Sequence, residues 1–158
     1  MNRLLFFAGL FAVLTSCAQD DKYNLKYYKE LSRGSAMIEG APFENTIIKQ
    51  STKDTNYSVK IIFDDSTYRV PQTIFYYFKG KTHGPFTSFV KGRIYAKGYY
   101  KNGQRDGERI TYGGKFMSSK SYYKMGVKTG VWEYYDNKGK LIRKAFYDDG
   151  QLTQDVTY

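Results

Sequence analysis

The sequence predicts a mainly β protein: an antiparallel meander of stacked β-hairpin repeats that forms one elongated, twisted sheet. Three observations lead to this prediction. The phrase YYKNGQRDG at 99–107 returns as YYKMGVKTG at 122–130. The chain of 158 residues contains 17 Tyr, a residue type favoured in half-buried strands. Glycines and polar clusters interrupt the chain at the short intervals expected of hairpins. This length has room for one ordinary domain.

The first segment, 1–16, has the features of a signal peptide. The chain opens MNRLLFFAGLFAVLTSC, in which Arg3 supplies a positive charge and an apolar run extends from Leu4 to Leu14. The run is too short for a membrane-spanning helix, which needs about 20 residues. It has the length of a secretory hydrophobic region. We therefore expect an exported protein.

The only cysteine of the chain, Cys17, stands where a lipid anchor would be attached. The stretch Leu14-Thr15-Ser16-Cys17 resembles the bacterial lipobox, which implies cleavage before Cys17 and acylation of it. The following AQDDK resembles the surface-export signal of lipoproteins in the Bacteroidetes group. We expect an outer-membrane lipoprotein, held to the membrane by this anchor and facing either the periplasm or the cell surface. The alternative is an ordinary signal peptide with an incidental cysteine.

Residues 17–33 are expected to be a lipidated tether, and 34–75 a non-repetitive β region. Leu25, Tyr28 and Leu31 recur at spacings of three, which fits a short amphipathic helix or a flexible tether. In the β region we expect strands at 45–50, 57–63 and 68–79. Pro71 cannot donate a ladder hydrogen bond, so it belongs at an edge, a strand start or a bulge.

Residues 76–158 contain about three and a half copies of a repeat. Its first glycine recurs at intervals of 23, 23 and 24 residues, as Gly80, Gly103, Gly126 and Gly150. A tyrosine lies three positions before each, at Tyr77, Tyr100, Tyr123 and Tyr147. A second glycine follows four positions after the first three, at Gly84, Gly107 and Gly130. Periods of this size indicate a repeat array, and we expect each G-x-x-x-G stretch to join two strands as a hairpin.

Strand alternation assigns the repeat side chains to two faces. The expected inner face is small and apolar, with Ile94, Ala96, Gly98 and Tyr100 and their counterparts Met117, Ser119, Ser121, Tyr123, Leu141, Arg143, Ala145 and Tyr147. Phe86 and Trp132 occupy matching positions that should help to cover this core, with Arg109 in the intervening copy.

The opposite face contains a column of basic and aromatic residues, which is the candidate binding site: Lys97, Tyr99, Lys120, Tyr122, Lys144 and Phe146. Cations beside rings suit an anionic glycan or lipid. The alternative is that the lysines solvate the sheet while the tyrosines pack across strands.

The pattern YYxxGxxxGxWxxYxxxGxL at 122–141 resembles the bacterial variant of the MORN repeat, whose arrays are often labelled antitoxin-like. The resemblance covers about 74–158. It implies an elongated antiparallel sheet of stacked hairpins that serves as a scaffold or interaction surface, not an enzyme. The first copy departs from the pattern, with Pro85-Phe86 in place of the Val-Trp type.

No catalytic, metal or cofactor site is expected. His83 is the only histidine and should be a solvated turn residue, and Ser118, Ser119 and Ser121 have no histidine base to activate them. Residues 76–158 hold 16 Lys/Arg against 7 Asp/Glu, a balance of +9. Nucleic acid is not expected as a partner of an exported chain, so the charge points to protein, anionic glycan or lipid.

The sequence therefore predicts an envelope-anchored lipoprotein whose repeat sheet is a binding or scaffolding module. An immunity or antitoxin-like protein that neutralises a toxin is the alternative. A hydrolase of envelope polymers would need carboxylates clustered in one cleft, whereas the acidic residues of the repeats are few and lie mostly in predicted turns.

Overall fold

The computed structural model describes residues 21–36 and 44–158; the predicted signal peptide, 1–16, and Cys17 lie outside the described residues. Two 3-10 turns, Asp21–Tyr23 and Leu25–Tyr27, precede twelve strands. The first six are β1 (Tyr28–Ala36), β2 (Glu44–Ser51), β3 (Tyr57–Phe63), β4 (Pro71–Phe78), β5 (Lys81–Val90) and β6 (Arg93–Lys101). The others are β7 (Gln104–Arg105), β8 (Gly107–Gly113), β9 (Phe116–Lys124), β10 (Val127–Tyr135), β11 (Leu141–Asp148) and β12 (Gln151–Thr157).

The strands form one antiparallel sheet in which nearly every strand pairs with its neighbours in sequence. The short β7 lies off this path and extends the pairing of β6. The predicted meander is therefore confirmed, and the sheet runs without a break from the non-repetitive β region into the repeats. Pro71 begins β4 beside a register shift, a position that tolerates its missing N–H group.

The segment before the sheet is neither a regular helix nor a bare tether. Helical geometry is limited to the two 3-10 turns, and from Tyr28 the chain is a strand. We call Asp21–Tyr28 the strap. Tyr23 and Tyr28 are its buried residues, at 4% and 6% exposure, and their rings pack on Tyr76 at centroid distances of 5.3 and 5.8 Å. The Tyr76 hydroxyl donates a hydrogen bond of 2.7 Å to the Tyr23 carbonyl oxygen.

The strap covers the main hydrophobic core, which lies on one face of β2 to β5. The aliphatic members of this core share that face because strand residues two apart point the same way. They are Ile47, Val59, Ile61 and Ile74, accompanied by Phe63 and Phe89. Burial raises the pKa of the Tyr76 hydroxyl, with the nearby Tyr28 adding to the effect. The hydroxyl therefore stays protonated at neutral pH and donates to the strap.

The two glycines of each repeat have different structural roles. The first closes a two-residue hairpin turn. Asn102 and Gly103, for example, both have positive φ, at 51° and 90°, as the tight turn between antiparallel strands requires. The second glycine is not part of the turn. Gly107 lies at the start of β8 with φ of 86°, where the pairing register with β6 changes. The predicted G-x-x-x-G turn is thus a two-residue turn followed by a bulge.

A second bulge recurs at the opposite end of each hairpin and corrects the predicted inner face. The bulges lie within three pairs of residues that are two positions apart in the sequence but have partners only one position apart on the neighbouring strand. The pairs are Ala96 and Ile94, Ser119 and Met117, and Arg143 and Leu141. Each shift turns Ile94, Met117 and Leu141 to the opposite face from their expected companions. Ile94 accordingly packs against the core under the strap.

Candidate binding faces of the repeat sheet

The predicted lysine column lies on one face, but carboxylates of adjacent strands neutralise part of it. Lys120 Nζ lies 2.9 Å from Glu108 Oε2, and Lys144 Nζ lies 3.2 Å from Glu133 Oε1. Glu133 is also directly opposite Lys120 in the pairing of β9 with β10. Opposite charges at such cross-strand positions stabilise a sheet. We call this surface the ladder face, defined by Lys97, Glu108, Lys120, Glu133 and Lys144.

These ion pairs alter the titration of the ladder face. The hydrogen bond from Lys120, with a second from the Tyr122 hydroxyl, lowers the pKa of Glu108. Burial pushes the pKa of Glu133 upward, but hydrogen bonds from Tyr135 and Lys144 lower it overall. The Tyr122 and Glu108 hydrogen bonds raise the pKa of Lys120. Both carboxylates are therefore ionised at neutral pH and held by side chains of the same sheet.

The aromatic members of the column are also engaged within the chain. The Tyr99 hydroxyl lies 2.8 Å from the Tyr23 hydroxyl, and the two rings pack edge to face. The Tyr122 hydroxyl donates to Glu108 Oε2 at 3.0 Å. Phe146 is half-buried opposite Val131. The six column residues thus do share a face, and the first of the three aromatic positions belongs to the packing of the strap.

The opposite face of the repeats presents an aromatic row with two cations that the sequence analysis did not single out. Trp132 packs between Tyr123 and Tyr147, at centroid distances of 5.2 and 4.9 Å. Lys128 Nζ lies 4.9 Å from the ring centroids of both Trp132 and Tyr147. The Trp132 indole N–H donates to the Tyr122 carbonyl oxygen at 3.1 Å, which fixes the ring.

The preceding copy repeats this arrangement. The Arg105 guanidinium lies 5.4 Å from the Tyr123 ring centroid, and its Nη1 donates to the Tyr123 hydroxyl at 3.3 Å. Hydrogen bonds to the Tyr100 and Tyr123 hydroxyls raise the pKa of Arg105. We call this surface the aromatic strip, defined by Tyr100, Arg105, Tyr123, Lys128, Trp132 and Tyr147.

One sequence signal could have found the cations of the aromatic strip. Arg105 and Lys128 both lie two residues after the first glycine of their repeat, whereas the same position is Thr82 in the first copy. A residue two positions after a hairpin glycine returns along the second strand, and its face depends on the turn type. The sequence therefore showed that Arg105 and Lys128 occupy equivalent positions, but it did not show which face of the sheet they lie on.

Small residues make room for the large side chains of this face. Phe86 is paired with Gly98, Arg109 with Ser121, and Trp132 with Ala145. A Cβ atom on Gly98 would lie 2.7 Å from Phe86 Cε1, so the ring occupies the space that a side chain would need. Arg109 thus takes the aromatic position in its copy, as expected. Its Nε is buried and has no hydrogen-bond acceptor within the described residues.

A shallow depression of about 230 Å³ lies on the ladder face where β6 and β8 share only a short pairing. Its lining residues are Pro85, Phe86, Thr87, Lys97, Gly98, Tyr99, Glu108 and Ile110. The single carboxylate there, Glu108, already accepts hydrogen bonds from Lys120 and Tyr122. The depression is therefore shaped by the bulge and supplies no second acid to cooperate with Glu108.

His83 lies in strand β5 and not in a turn, which corrects its expected position. Its ring packs beside Phe78 and Tyr99, and its Nδ1 accepts a hydrogen bond of 3.4 Å from the Asn102 N–H. Over residues 21–36 and 44–158, no group of three or more His, Cys, Asp or Glu side chains is placed to hold a metal ion. Within the same ranges, no helix is long and apolar enough to cross a membrane.

Comparison with known proteins yields only distant likenesses. No protein-family model matches the chain, and no curated protein matches it. Two of the solved structures that are similar to it illustrate this. The pneumococcal O-GlcNAc transferase GtfA in complex with UDP and GlcNAc matches 75% of this chain and 22% of its own, at 16% identity and a TM-score of 0.43. A GtfA/B complex matches 92% of this chain and 21% of its own, at 11% identity and a TM-score of 0.37. This chain therefore spans about a fifth of the length of either structure.

Proposed function

We propose that this chain is an envelope-anchored lipoprotein whose repeat sheet serves as a binding module. The observation that carries the binding role is the aromatic strip. Arg105 and Lys128 are exposed and lie over aromatic rings of consecutive repeats. On the ladder face, in contrast, Lys120 and Lys144 have carboxylate partners. Cations kept apart from acids are available to a ligand, and stacking on rings restricts their conformations beforehand.

The lipid anchor in this proposal rests on the sequence around Cys17. Acyl chains on Cys17 would supply a stable anchor, whereas one chain gives only marginal membrane binding. Tyr23 follows six positions later and is already packed on the sheet. A chain reaches at most about 3.6 Å per residue, so the intervening residues would allow roughly 20 Å between the anchor and the sheet. The binding surface would then work next to the membrane.

Metabolic labelling tests the anchor. Labelled palmitate should be incorporated by the wild-type chain and not by Cys17→Ala, with Cys17→Ser as the matched second variant. Equal incorporation by all three chains would refute acylation at this position. Fractionation should also place the wild type in the membrane pellet and the variants in the soluble fraction.

Capture from envelope extracts tests the binding role. The full chain, immobilised through its C-terminus, should retain glycan or lipid, and Arg105→Gln/Lys128→Gln should retain less. A single protein partner in stoichiometric amount would favour the immunity role instead. Retention of no envelope component would refute the binding module.

A further inference from the structure

We propose that the aromatic strip binds a linear anionic glycan that runs across the strands, with one disaccharide of the glycan for each hairpin repeat. This inference rests on the proposed binding function and names its ligand class. It moves the binding site from the ladder face, where the sequence placed it, to the opposite face. Three features of the strip support it: its charge, its rings and its period.

The charge of the aromatic strip suits an anion. Within the described residues, neither Arg105 nor Lys128 forms an ion pair with a carboxylate, and both are exposed. The Arg109 Nε adds a buried donor without an acceptor on the same face. Arg143 is the exception, because Asp155 holds it through two hydrogen bonds of 2.8 and 2.6 Å. The unpaired cations therefore lie between Tyr100 and Tyr147.

The rings of the aromatic strip suit a sugar better than a nucleobase. Tyr123, Trp132 and Tyr147 pack at interplanar angles of 57° and 51°, so the tilted rings form a corrugated surface and not parallel faces. The C–H face of a pyranose can rest on the half-buried rings of Trp132 and Tyr147, while its hydroxyls reach the Tyr147 hydroxyl. Tyr123 is buried and supports the Trp132 ring. Bases need flat ring faces that they can stack upon. Because the rings already pack against one another, they lose little conformational entropy when a ligand binds.

The period of the aromatic strip suits a disaccharide. Tyr100, Tyr123 and Tyr147 lie on β6, β9 and β11, with one strand between each pair. Two strand spacings are about 10 Å, which is also about the length of a disaccharide in an extended β-linked glycan. A glycan with one acidic sugar per disaccharide would meet Arg105 in one repeat and Lys128 in the next. A lipid headgroup has one anionic centre and gains nothing from this spacing.

Size-defined hyaluronan oligosaccharides are the probe, because they carry one carboxylate per disaccharide. Binding to the full chain should be followed by the fluorescence of Trp132, the only tryptophan, which lies within the strip. Affinity should rise from the tetrasaccharide to the hexasaccharide and then level off. A hexasaccharide is long enough to contact both cations of the strip and one further ring, and a longer chain finds no additional cation there. Neutral chitin oligosaccharides of equal length should bind at least about tenfold more weakly, since they lack the charge-assisted bonds.

A matched pair of double variants separates the two faces. Arg105→Gln/Lys128→Gln should weaken hexasaccharide binding by about tenfold or more. Lys120→Gln/Lys144→Gln removes the same charge from the ladder face and should change binding by less than about twofold. Circular dichroism should show that both variants keep the sheet. Equal losses in both variants, or affinity independent of length, would overturn the inference.

The remaining outcomes identify other ligand classes. Binding to anionic phosphatidylglycerol vesicles with no binding to hyaluronan would overturn the glycan and favour a lipid surface. Tighter binding to single-stranded DNA than to hyaluronan would overturn it in favour of nucleic acid. If no probe binds but the envelope capture still retains a component, the ligand class is wrong and the binding module stands. If neither experiment shows binding, both proposals fail.

Discussion

The backbone N–H of Gly103 donates a hydrogen bond of 2.7 Å to the carbonyl oxygen of Thr82. This bond joins the tip of one hairpin to the second strand of the hairpin before it. The same bond recurs between Gly126 and Arg105 at 2.7 Å, and between Gly150 and Lys128 at 3.0 Å. The repeat period therefore corresponds to a physical contact. The first glycine of a repeat donates to the residue two positions after the first glycine of the preceding repeat.

Gly103→Ala should destabilise the fold by about 1–2 kcal/mol, since an L-residue with a side chain is strained at positive φ. Open space surrounds the Cβ position of Gly103, so no clash contributes. Gly34→Ala is the matched control, because that site is equally open and its φ is not positive. Urea unfolding should show a loss for Gly103→Ala and little change or a small gain for Gly34→Ala. Equal effects of the two changes would contradict the turn assignment.

Gly98→Ala should destabilise the fold by about 1–3 kcal/mol through overpacking against Phe86. The Glu108 carbonyl oxygen, 3.2 Å from the Cβ position, limits how far the backbone can shift to relieve the clash. Phe86→Ala should cost about 3–5 kcal/mol by itself. The double variant should cost clearly less than the sum, because the new methyl group enters the space that the ring leaves. Additive losses would show that the ring does not lie over Gly98.

Tyr99→Phe should destabilise the fold by about 1 kcal/mol, because it removes the hydroxyl that pairs with Tyr23. Tyr23→Ala should cost about 3–5 kcal/mol, comparable with truncating other buried rings, since the Tyr23 ring fills the space above Gly84. Tyr95→Phe, at an exposed ring, is the control and should leave the unfolding temperature unchanged. Thermal unfolding measures all three. A silent Tyr23→Ala would show that the strap does not stabilise the sheet.

Acid should weaken the ladder face in a defined direction. The pKa of Glu108 is lowered by the Lys120 hydrogen bond, so the pair stabilises the fold above the unfolded pKa of about 4.3. This contribution is lost as the pH falls through the lowered folded value. Between about pH 6 and about pH 3, the wild type should therefore lose more unfolding free energy than Glu108→Gln. Lys120→Gln should reduce the loss in the same way. An identical pH dependence in all three chains would contradict the pairing.

The sequence was sufficient to predict the meander, because its period is carried by residue types with a definite structural role. A glycine with a tyrosine three positions before it predicts a turn and a packed ring wherever the pair recurs. Ala96 and Ala145 do lie on the predicted inner face, and neither is exposed to solvent. Periodicity identified these positions without any knowledge of the neighbouring strands.

Three features could not be predicted from periodicity. The recurring bulges turn Ile94 and its counterparts to the other face, and a bulge depends on the pairing of two strands. The pairing of Lys120 with Glu108 also depends on that register. The strap was missed for a different reason. Tyr23 belongs to no repeat, and its partners, Tyr76 and Tyr99, are distant in the sequence.

The hydrogen bond between successive hairpin tips has a consequence for how such a protein can change over generations. Because each tip bonds an equivalent backbone group of the unit before it, a duplicated coding segment of one period would add a unit that already fits both neighbours. Unequal recombination within the gene could therefore lengthen or shorten the array in whole steps. Natural variants should therefore differ mainly by whole repeats, and the 24-residue interval before Gly150 shows that a single added residue can be accommodated with the bond intact at 3.0 Å.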